Sequence, residues 1–575
     1  MTAPRSLDLV LVWHMHQPDY RDPLTGEYSA PWVYLHAIKD YADMAAHLEA
    51  QPAMRAVVNF VPVLLEQLED YAAQFAAGVL RDPLLRLLAK PVAEPFSPQE
   101  RALVFGQCFH ANHAQLIAPY PPYRRLHDLA RAAGDGADDA DDAQGYLSDR
   151  YLADLVVWYH LAWTGETVRR AHPLLPELLQ AGAGFTDAQR AALLATIGEV
   201  IASIVPRYRR LEEAGVIELT TSPATHPIGP LLLDFECARE ARPGLPLPAA
   251  AGYPGGRERL DRQVDEALER HAARFGRAAA GLWPPEGAVS DAFVRALDGR
   301  PVRWIASGSQ VLGNSLRRAG VGLAPATMAR TYRLPALAPD LVCVFRDDLL
   351  SDLIGFEYRK WHSGDAARHF VGELEALAER TAPAPRPLVT VIVDGENAWE
   401  YYPYNGYFFL TDLYERLAAH PSIRPCTMRE WLGWRDAALA DGGADPCGEL
   451  PGLVAGSWVF GDLTTWIGSP DKNRAWDLLC EAKAAFDAAL ATGRLDTAQV
   501  AEATRHLAVA ESSDWTWWFG DYNPAQSVAR FDALFRATLV RLYHTLGLAA
   551  PAALDTPVSL GNATAPADGA IRRAT

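Results

Sequence analysis

Short runs of β-branched and other apolar residues recur along roughly the first 400 residues of the chain. Most are followed by turn residues and then by a segment whose apolar positions have helical spacing. This alternation favours parallel strands joined by helices, since a helical crossover returns the chain to the same end of the sheet. The runs predict buried strands at residues 7–13, 55–62, 216–221, 279–282, 302–306, 342–346 and 388–393. Such repetition is typical of a β/α barrel with seven or eight strands and insertions.

Other parts of the chain depart from this alternation. Helical patterns surround an acidic, glycine-broken stretch at 134–142, which predicts a helical insertion at about 124–212 with a solvated loop inside it. Beyond about residue 470 the pattern predicts helices at 473–492, 497–511 and 525–546. We therefore expect a barrel with its insertion at residues 1–425 and a C-terminal helical bundle packed on the barrel at 426–548. The tail at 549–575 is rich in Ala, Pro, Thr and Gly and is expected to be poorly ordered.

The composition fits a globular protein with a large core. Of 575 residues, 49% are hydrophobic and 22% charged, and 53 basic against 71 acidic residues give a net charge of −18. This acidity predicts no binding to nucleic acid and argues against anionic membrane surfaces. No stretch reaches the roughly 20 apolar residues of a membrane helix, and the six scattered cysteines lack Cys-x-x-Cys pairs and metal-finger spacing. We therefore expect a soluble cytoplasmic protein, with its oligomeric state left open.

Two segments place carboxylates beside glycine and tryptophan at predicted strand ends. Glu286 lies in Gly281–Gly287, whereas Asp394 and Glu396 directly follow the run at 388–393. Carboxylates beyond the C-terminal ends of barrel strands lie at the mouth where active sites collect. Because two neighbouring carboxylates cannot ionise equally, one of Asp394 and Glu396 is expected to stay protonated as a general acid, with Glu286 ionised. These features suggest glycoside chemistry; loop acids beside core tryptophans are the alternative.

Histidines gather after several predicted strands. His14 and His16 follow the first strand at i and i+2, so they point to the same side of an extended segment, and His110 and His226 come later in the chain. They could hydrogen-bond sugar hydroxyls, bind a metal or play a structural role, and we favour the first. Because the chain has no complete metal-ligand pattern such as His-Glu-x-x-His, we expect no metal and no cofactor.

The segment 511–521 is rich in aromatic residues. Four aromatic residues lie within the five positions after Asp514, namely Trp515, Trp517, Trp518 and Phe519. On a helix these side chains cannot all face the core. They therefore either line a groove that stacks sugar rings or fill an interface between domains.

Together these segments resemble glycoside hydrolase family 57 over about residues 7–530. The motifs that carry the resemblance are His16-Gln17-Pro18, the looser Gly106–His110, Trp283-Pro-Pro-Glu286, Asp394-Gly-Glu396 and Ser513-Asp514-Trp515. The resemblance implies an incomplete seven-stranded barrel with a helical C-terminal domain, and retaining action on α-glucans. It also implies that Glu286 is the nucleophile, Asp394 the acid/base and Glu396 a residue that holds the first sugar. The motif Asp-Gly-Glu-Asn-x-Trp, which begins at Asp394, is most similar to that of the amylopullulanase and α-amylase branch.

We therefore expect an α/β enzyme, an incomplete (β/α)7 barrel with helical insertions and a C-terminal α-helical bundle, that hydrolyses α-1,4 links in maltodextrin, glycogen or starch. The expected substrate-binding residues are His14, His16, His110, His226, Trp283, Glu396, Trp399, Asp514, Trp515 and Trp518. A 4-α-glucanotransferase or branching enzyme is the alternative within this class, because acceptor affinity and water access decide between the two outcomes. A metal-dependent polysaccharide deacetylase and a catalytically silent glucan-binding protein are alternatives from other classes.

Overall fold

Seven parallel strands form a barrel that is continuous with three outer strands. The computed structural model describes residues 6–134, 146–381 and 386–562. Within them the strands are β1 (Leu7–Met15), β2 (Ala56–Phe60), β3 (Ile217–Thr221), β4 (Gly281–Leu282), β5 (Trp304–Gly308), β6 (Tyr332–Leu334), β7 (Ala338–Arg346), β8 (Leu388–Asp394), β9 (Ile423–Pro425) and β10 (Gly448–Glu449). Around the barrel the order is β8-β1-β2-β3-β4-β5-β7, all parallel, and the pairing of Arg346 with Thr390 joins β7 to β8. The predicted seven-stranded barrel is therefore confirmed.

The outer strands place the end of the barrel later than the sequence predicted. β9 pairs with β1, β6 runs antiparallel to β7, and β10 pairs with β6. Because β10 is part of the sheet, residues 426–449 belong to the barrel, and the expected boundary at 425 is wrong. The helical C-terminal region instead begins at about residue 470, with helices Pro470–Ala491, Thr497–Ala510, Asp514–Trp518 and Ala525–Thr545.

Helices connect the barrel strands and cover them. Between β1 and β2 lie Trp32–His36, the π-helical Ala37–Tyr41, and Ala42–Ala50. The insertion between β2 and β3 is wider than the predicted 124–212, because it is helical from residue 62 onwards: Pro62–Ala77, Pro83–Ala89, Pro98–Gln107, the π-helical His113–Ile117, Pro121–Gly134, Asp149–Ala162, Glu166–Ala171, Leu174–Ala181 and Asp187–Glu213. The α-helices that follow β3 are Gly229–Leu233, Ala238–Ala241, Gly256–Phe275, Asp291–Leu297, Ser309–Arg318, Pro325–Met328, Asp348–Asp352, Ser363–Arg380, Tyr407–Ala418 and Met428–Ala440.

The barrel strands are apolar on both faces because helices cover the outside while side chains fill the inside. All nine residues of β1 are buried, and so are the first six of β8. Trp13 of β1 donates its indole N–H to the hydroxyl of Tyr414 at 3.0 Å, which fastens an outer helix to the barrel. Some of the polar residues that interrupt this apolar pattern, such as His14 of β1 and Asp394 of β8, lie at the C-terminal strand ends.

One helix is longer and more apolar than the sequence pattern predicted for any stretch of this chain. Asp187–Glu213 is long and apolar enough to cross a membrane by length and composition. This is weak evidence for a span, because core helices pass the same test, and the helix buries Leu193, Ile197, Ile201 and Ile204 within the protein.

The chain end also differs from the expected tail. Residues 549–562 pack against the C-terminal helices: Leu554 and Val558 are 3% and 4% exposed, and the Val558 N–H donates to Asp532 at 2.6 Å. The expectation of poor order is therefore wrong for this part, because two apolar side chains and a buried carboxylate anchor it. The rest of the tail, and the acidic stretch apart from Gly134, lie outside the described residues.

Candidate active site

A cleft of about 750 Å³ opens at the C-terminal ends of the barrel strands. Its volume lies within the range of pockets that hold small ligands. Glu286, four residues after β4, and Asp394, the last residue of β8, both line it. The C-terminal helical region supplies a further part of the wall, including Asp514, Trp517, Trp518 and Arg530. The two carboxylates predicted to be catalytic therefore share one cavity.

Glu286 is held in a strained turn. Its φ is 59° and that of the following Gly287 is 60°, so two successive residues adopt the left-handed conformation, which is costly for a residue other than glycine. Trp458 fastens this turn twice, since its indole N–H donates to Glu286 Oε2 at 3.0 Å and its backbone N–H to the Glu286 carbonyl at 3.1 Å. A Cβ on Gly287 would meet both Trp283 and Trp458 at 3.3 Å. The turn therefore fixes where the carboxylate points.

Asp394 lies where a carboxyl group can keep its proton. Burial raises its pKa, while the Asn397 amide and the charges of His16 and Arg346 oppose that rise. The Asn397 Nδ2 donates to Asp394 Oδ2 at 3.0 Å. The net shift is upward, so the protonated form persists to higher pH than in an exposed aspartate.

Glu396 is the more deeply buried of the two neighbouring acids. Its Oε1 accepts hydrogen bonds from the His16 backbone at 3.0 Å, the Tyr41 hydroxyl at 3.1 Å and the Gln17 amide at 3.3 Å. Burial and the nearby Asp394 raise its pKa well above the usual range. The pKa rises for both members of the pair, whereas the sequence predicted protonation of only one.

Three histidine rings stack in the wall of the cleft. The His16 and His226 ring centroids are 3.9 Å apart, and His14 lies 5.2 Å from His226. His14 Nδ1 bonds to Asn59 Oδ1 at 2.8 Å, and His226 Nδ1 bonds to Ser513 Oγ at 2.9 Å. Burial lowers the pKa of His14 to about 3 and that of His226 well below its usual value, so both rings are neutral.

Three buried polar atoms in this wall bond to no group in the described part of the chain: His16 Nδ1, His226 Nε2 and Glu396 Oε2. Buried polar atoms without partners are rare and costly, so they point to a ligand that bonds them. All three residues line the cleft. A ligand with several hydroxyl groups fits this set, because a hydroxyl both donates and accepts. Among the described residues, no group of three or more His, Cys, Asp and Glu side chains is placed to hold a metal ion.

The C-terminal region contributes Asp514 and Trp518 to the cleft. His16 Nε2 donates to the two Asp514 oxygens at 3.0 and 3.1 Å, and Ser512 Oγ donates to Asp514 at 2.5 Å. Trp518 is half-buried and stacks on Phe531, with ring centroids 4.7 Å apart. The helical region therefore completes the site and bonds directly to the barrel histidine next to Asp394.

His110 reaches the cleft from the helical insertion. It bonds to Gln526 of the last helix, and burial together with the charge of Arg530 lowers its pKa. Like His14, His16 and His226, it lines the cleft, and its role in binding substrate stays a prediction.

Three tryptophans predicted to bind substrate do not line the cleft. Trp515 is 1% exposed, donates its indole N–H to the Val509 carbonyl at 2.9 Å and lies 5.9 Å from Phe535 in the core of the helical region. Trp399 is equally buried and donates to the Gly395 carbonyl at 2.9 Å. Trp283 lies behind the wall, against His14 and Trp458. These side chains support the site from behind.

Sequence reasoning missed two residues with direct contacts to the site. Trp458 bonds to Glu286 from 172 residues further along the chain, in a stretch without periodic pattern, and no local signal marks it. Arg346 is the last residue of β7 and lines the cleft; it forms ion pairs with Asp348 and Asp352 at 2.7 and 2.8 Å. A charge directly after the apolar run at 342–345 was a signal that could have been used.

A parallel barrel whose cleft is lined by two carboxylates and by groups that suit hydroxyls fits a glycoside-cleaving enzyme. The chain belongs to glycosyl hydrolase family 57, whose family model matches residues 10–436. The resemblance seen in the sequence is therefore confirmed, and the protein is a glycoside hydrolase by family.

Solved structures share this fold. The GH57-type branching enzyme of Pyrococcus horikoshii is 16% identical with a TM-score of 0.56, over 96% of this chain and 93% of that one. The α-amylase AmyC of Thermotoga maritima is 14% identical with a TM-score of 0.55, over 94% and 93%. The 4-α-glucanotransferase of Thermococcus litoralis is 13% identical with a TM-score of 0.50, over 94% of this chain and 60% of that one. At these identities the likeness concerns the fold.

Proposed function

We propose that this protein is a retaining enzyme that hydrolyses α-1,4-glucosidic bonds in maltodextrin, glycogen or starch. In this proposal Glu286 is the nucleophile and Asp394 the acid/base. The observation that carries it is that both groups line one cleft while burial raises the pKa of Asp394. A carboxyl group that keeps its proton can act as an acid beside an ionised carboxylate nucleophile, and retaining glycosidases use such a pair.

The proposed reaction has two steps. First, the Glu286 carboxylate attacks the anomeric carbon, the bond to the leaving glucan oxygen breaks, and that oxygen takes the proton of Asp394. Second, the ionised Asp394 takes a proton from water, whose oxygen bonds to the anomeric carbon and releases Glu286. Each step inverts the anomeric carbon, so the product keeps the α configuration.

Neighbouring groups support these roles. The Trp458 indole N–H at 3.0 Å favours the ionised form of Glu286 and orients it. The unpartnered atoms of His16, His226 and Glu396 offer hydrogen bonds to sugar hydroxyls. Trp518 offers an aromatic face beside them for the apolar side of a glucose ring.

Incubation with maltoheptaose, with products resolved by chain length, tests this proposal. We expect products shorter than the substrate only, because water resolves the covalent intermediate. Products longer than seven units would show transfer to a sugar hydroxyl, the activity named for the branching enzyme and glucanotransferase of similar fold. An unchanged substrate with a fully folded protein would contradict the proposal.

We expect activity on maltoheptaose to survive chelation by EDTA. The proposed steps need only carboxyl groups, water and sugar. The measurement is the hydrolysis rate before and after dialysis against EDTA, with metal analysis of both samples. Loss of the rate with restoration by zinc would contradict this expectation and show that the hydrolysis itself needs a metal ion.

Two neighbouring tryptophans are expected to respond differently to replacement by alanine. Trp515→Ala should lower the free energy of unfolding by about 3–5 kcal/mol, because its ring fills the helical core, with a normal KM for the folded enzyme. Trp518→Ala should raise the KM for maltoheptaose by about five- to tenfold with a smaller loss of stability, because its ring lines the cleft. Thermal unfolding and steady-state kinetics of both variants check this. A raised KM in Trp515→Ala at unchanged stability would contradict it.

The thiols support a proposal about the compartment. All six cysteines are buried and free. Free thiols persist in reducing compartments, so we propose that the protein works in the cytoplasm.

A further inference from the structure

A segment that lines the cleft also carries two exposed aromatic side chains. The segment 399–408 follows β8, and its residues Glu400 and Tyr401 line the cleft. A few residues further on, Tyr404 and Phe408 are 59% and 44% exposed, and their rings meet edge to face with centroids 5.4 Å apart. The same segment therefore forms both the end of the cleft and an exposed aromatic pair.

A second segment runs beside the first. The backbone N–H of Asn112, a residue that lines the cleft, donates to the carboxylate of Glu400. Further out, burial raises the pKa of half-buried Tyr120 and the charge of Tyr404 adds to that rise, so the two side chains belong to the same region of the protein. The second segment thus contacts the first at the cleft and approaches it again near the aromatic pair.

The backbone presents Tyr404 to solvent under strain. Tyr404, Asn405 and Gly406 have φ values of 53°, 55° and 73°, although the first two are not glycine. Asn405 anchors the turn, because its side chain accepts from Lys39 Nζ at 2.8 Å and donates to Asp43 at 2.9 Å. Strain of this kind persists only where surrounding contacts fix the conformation, and it concentrates at ligand-binding sites.

We propose that Tyr404 and Phe408 form a glucan platform that binds outer glucose units of a long α-glucan whose inner units occupy the cleft. The inference rests on the proposed function, which supplies a polymer long enough to extend beyond the cleft. Two rings suit the apolar faces of sugars, and Arg170, whose guanidinium lies 5.6 Å from the Phe408 ring, offers donors to their hydroxyls. The pair is much smaller than a stable protein interface, which needs about 800 Å² on each partner. The position of the pair on a segment that also lines the cleft favours a glucan chain as the occupant.

Kinetics with a long and a short substrate test the platform. We expect the double variant Tyr404→Ala/Phe408→Ala to raise the KM for long amylose about five- to tenfold, with an unchanged KM for maltotetraose. Trp434→Ala is the matched control and should leave both values unchanged. Trp434 is 38% exposed and packs under Arg386, which lies just before β8 and hence at the other end of the barrel. Melting temperatures establish that the variants fold, and Tyr404→Trp should retain the wild-type KM for amylose.

Three kinetic results would overturn the platform in folded variants. One is an unchanged KM for amylose in the double variant. Another is an equal rise in KM for amylose and maltotetraose, which would place the rings inside the cleft. The third is an equal effect of Trp434→Ala, which would remove any special role of the pair.

Gel electrophoresis through amylose separates failure of the platform from failure of the proposed function. Every protein carries Glu286→Gln, so that no amylose is consumed. We expect amylose to retard the parent and the Trp434→Ala protein, and to retard the double variant less. Equal retardation of all three overturns the platform, and so does the absence of any retardation. If the double variant is retarded less while the wild type does not cleave maltoheptaose, the platform stands and the proposed function fails.

Discussion

Replacing Glu286 by alanine is expected to lower turnover of maltoheptaose by at least about 10⁴-fold while the melting temperature stays within a few degrees. The variant lacks the carboxylate that bonds to the anomeric carbon. The side chain is half-buried at the cleft, and its main partner, Trp458, keeps its backbone bond to the turn. Stability should therefore change little, and steady-state kinetics with thermal unfolding measure both quantities.

Azide provides the specific readout for this variant. A small anion that enters the space of the missing carboxylate should restore part of the cleavage and yield a glycosyl azide. Glu449→Ala removes an exposed carboxylate of β10 outside the cleft and should keep the wild-type rate within about twofold. Near wild-type turnover in Glu286→Ala would remove Glu286 from the mechanism.

Asp394→Asn is expected to lower kcat/KM for maltoheptaose by about 10²–10⁴-fold, because the amide cannot transfer the proton. A maltosyl fluoride should be much less affected in the first step, since fluoride leaves without protonation. Equal losses on both substrates would show that Asp394 acts by some means other than proton transfer.

The pH dependence of the rate shows in which direction the pKa of Asp394 is shifted. Burial raises its pKa above the usual value of about 3.9, so the acid form should persist to higher pH. The rate on maltoheptaose should fall as pH rises through this raised pKa, and that limb should be absent in Asp394→Asn. Glu396, His16 and Arg346 face the Asp394 carboxyl and help to set the pH at which this limb falls. An unchanged limb in the variant would assign it to another group.

The apolar pattern predicted most of the barrel because buried parallel strands are apolar on both faces. The strand at 388–393 was predicted to within one residue of β8, and the helices at 497–511 and 525–546 to within one residue of their ends. The short strands β6, β9 and β10 escaped notice, because two or three residues carry no periodicity. β9 pairs with β1 and β10 with β6, both far away along the chain, and the pairing of β10 extends the sheet beyond the predicted boundary.

Individual site residues were predictable where a strand end marks them. Glu286 follows β4 and Asp394 is the last residue of β8, so both acids lie at C-terminal strand ends, where active sites of barrels collect. The sequence could not predict which tryptophan side chains reach the cleft. Trp515 and Trp518 lie on the same short helix, and only the packing of the folded chain buries Trp515 in the core and stacks Trp518 on Phe531. The contact from Trp458 to Glu286 arises only on folding.

Trapping the covalent intermediate tests the central claim most directly. The enzyme would be incubated with a fluorinated maltosyl fluoride that forms the glycosyl-enzyme faster than water resolves it, and then digested with trypsin. Tandem mass spectrometry of the peptide 278–295 is expected to place one added glycosyl unit on Glu286, with no addition to the peptide that contains Asp394 and Glu396. A label on Asp394 or Glu396, or inactivation without any label together with a β-configured product from maltoheptaose, would contradict the assignment.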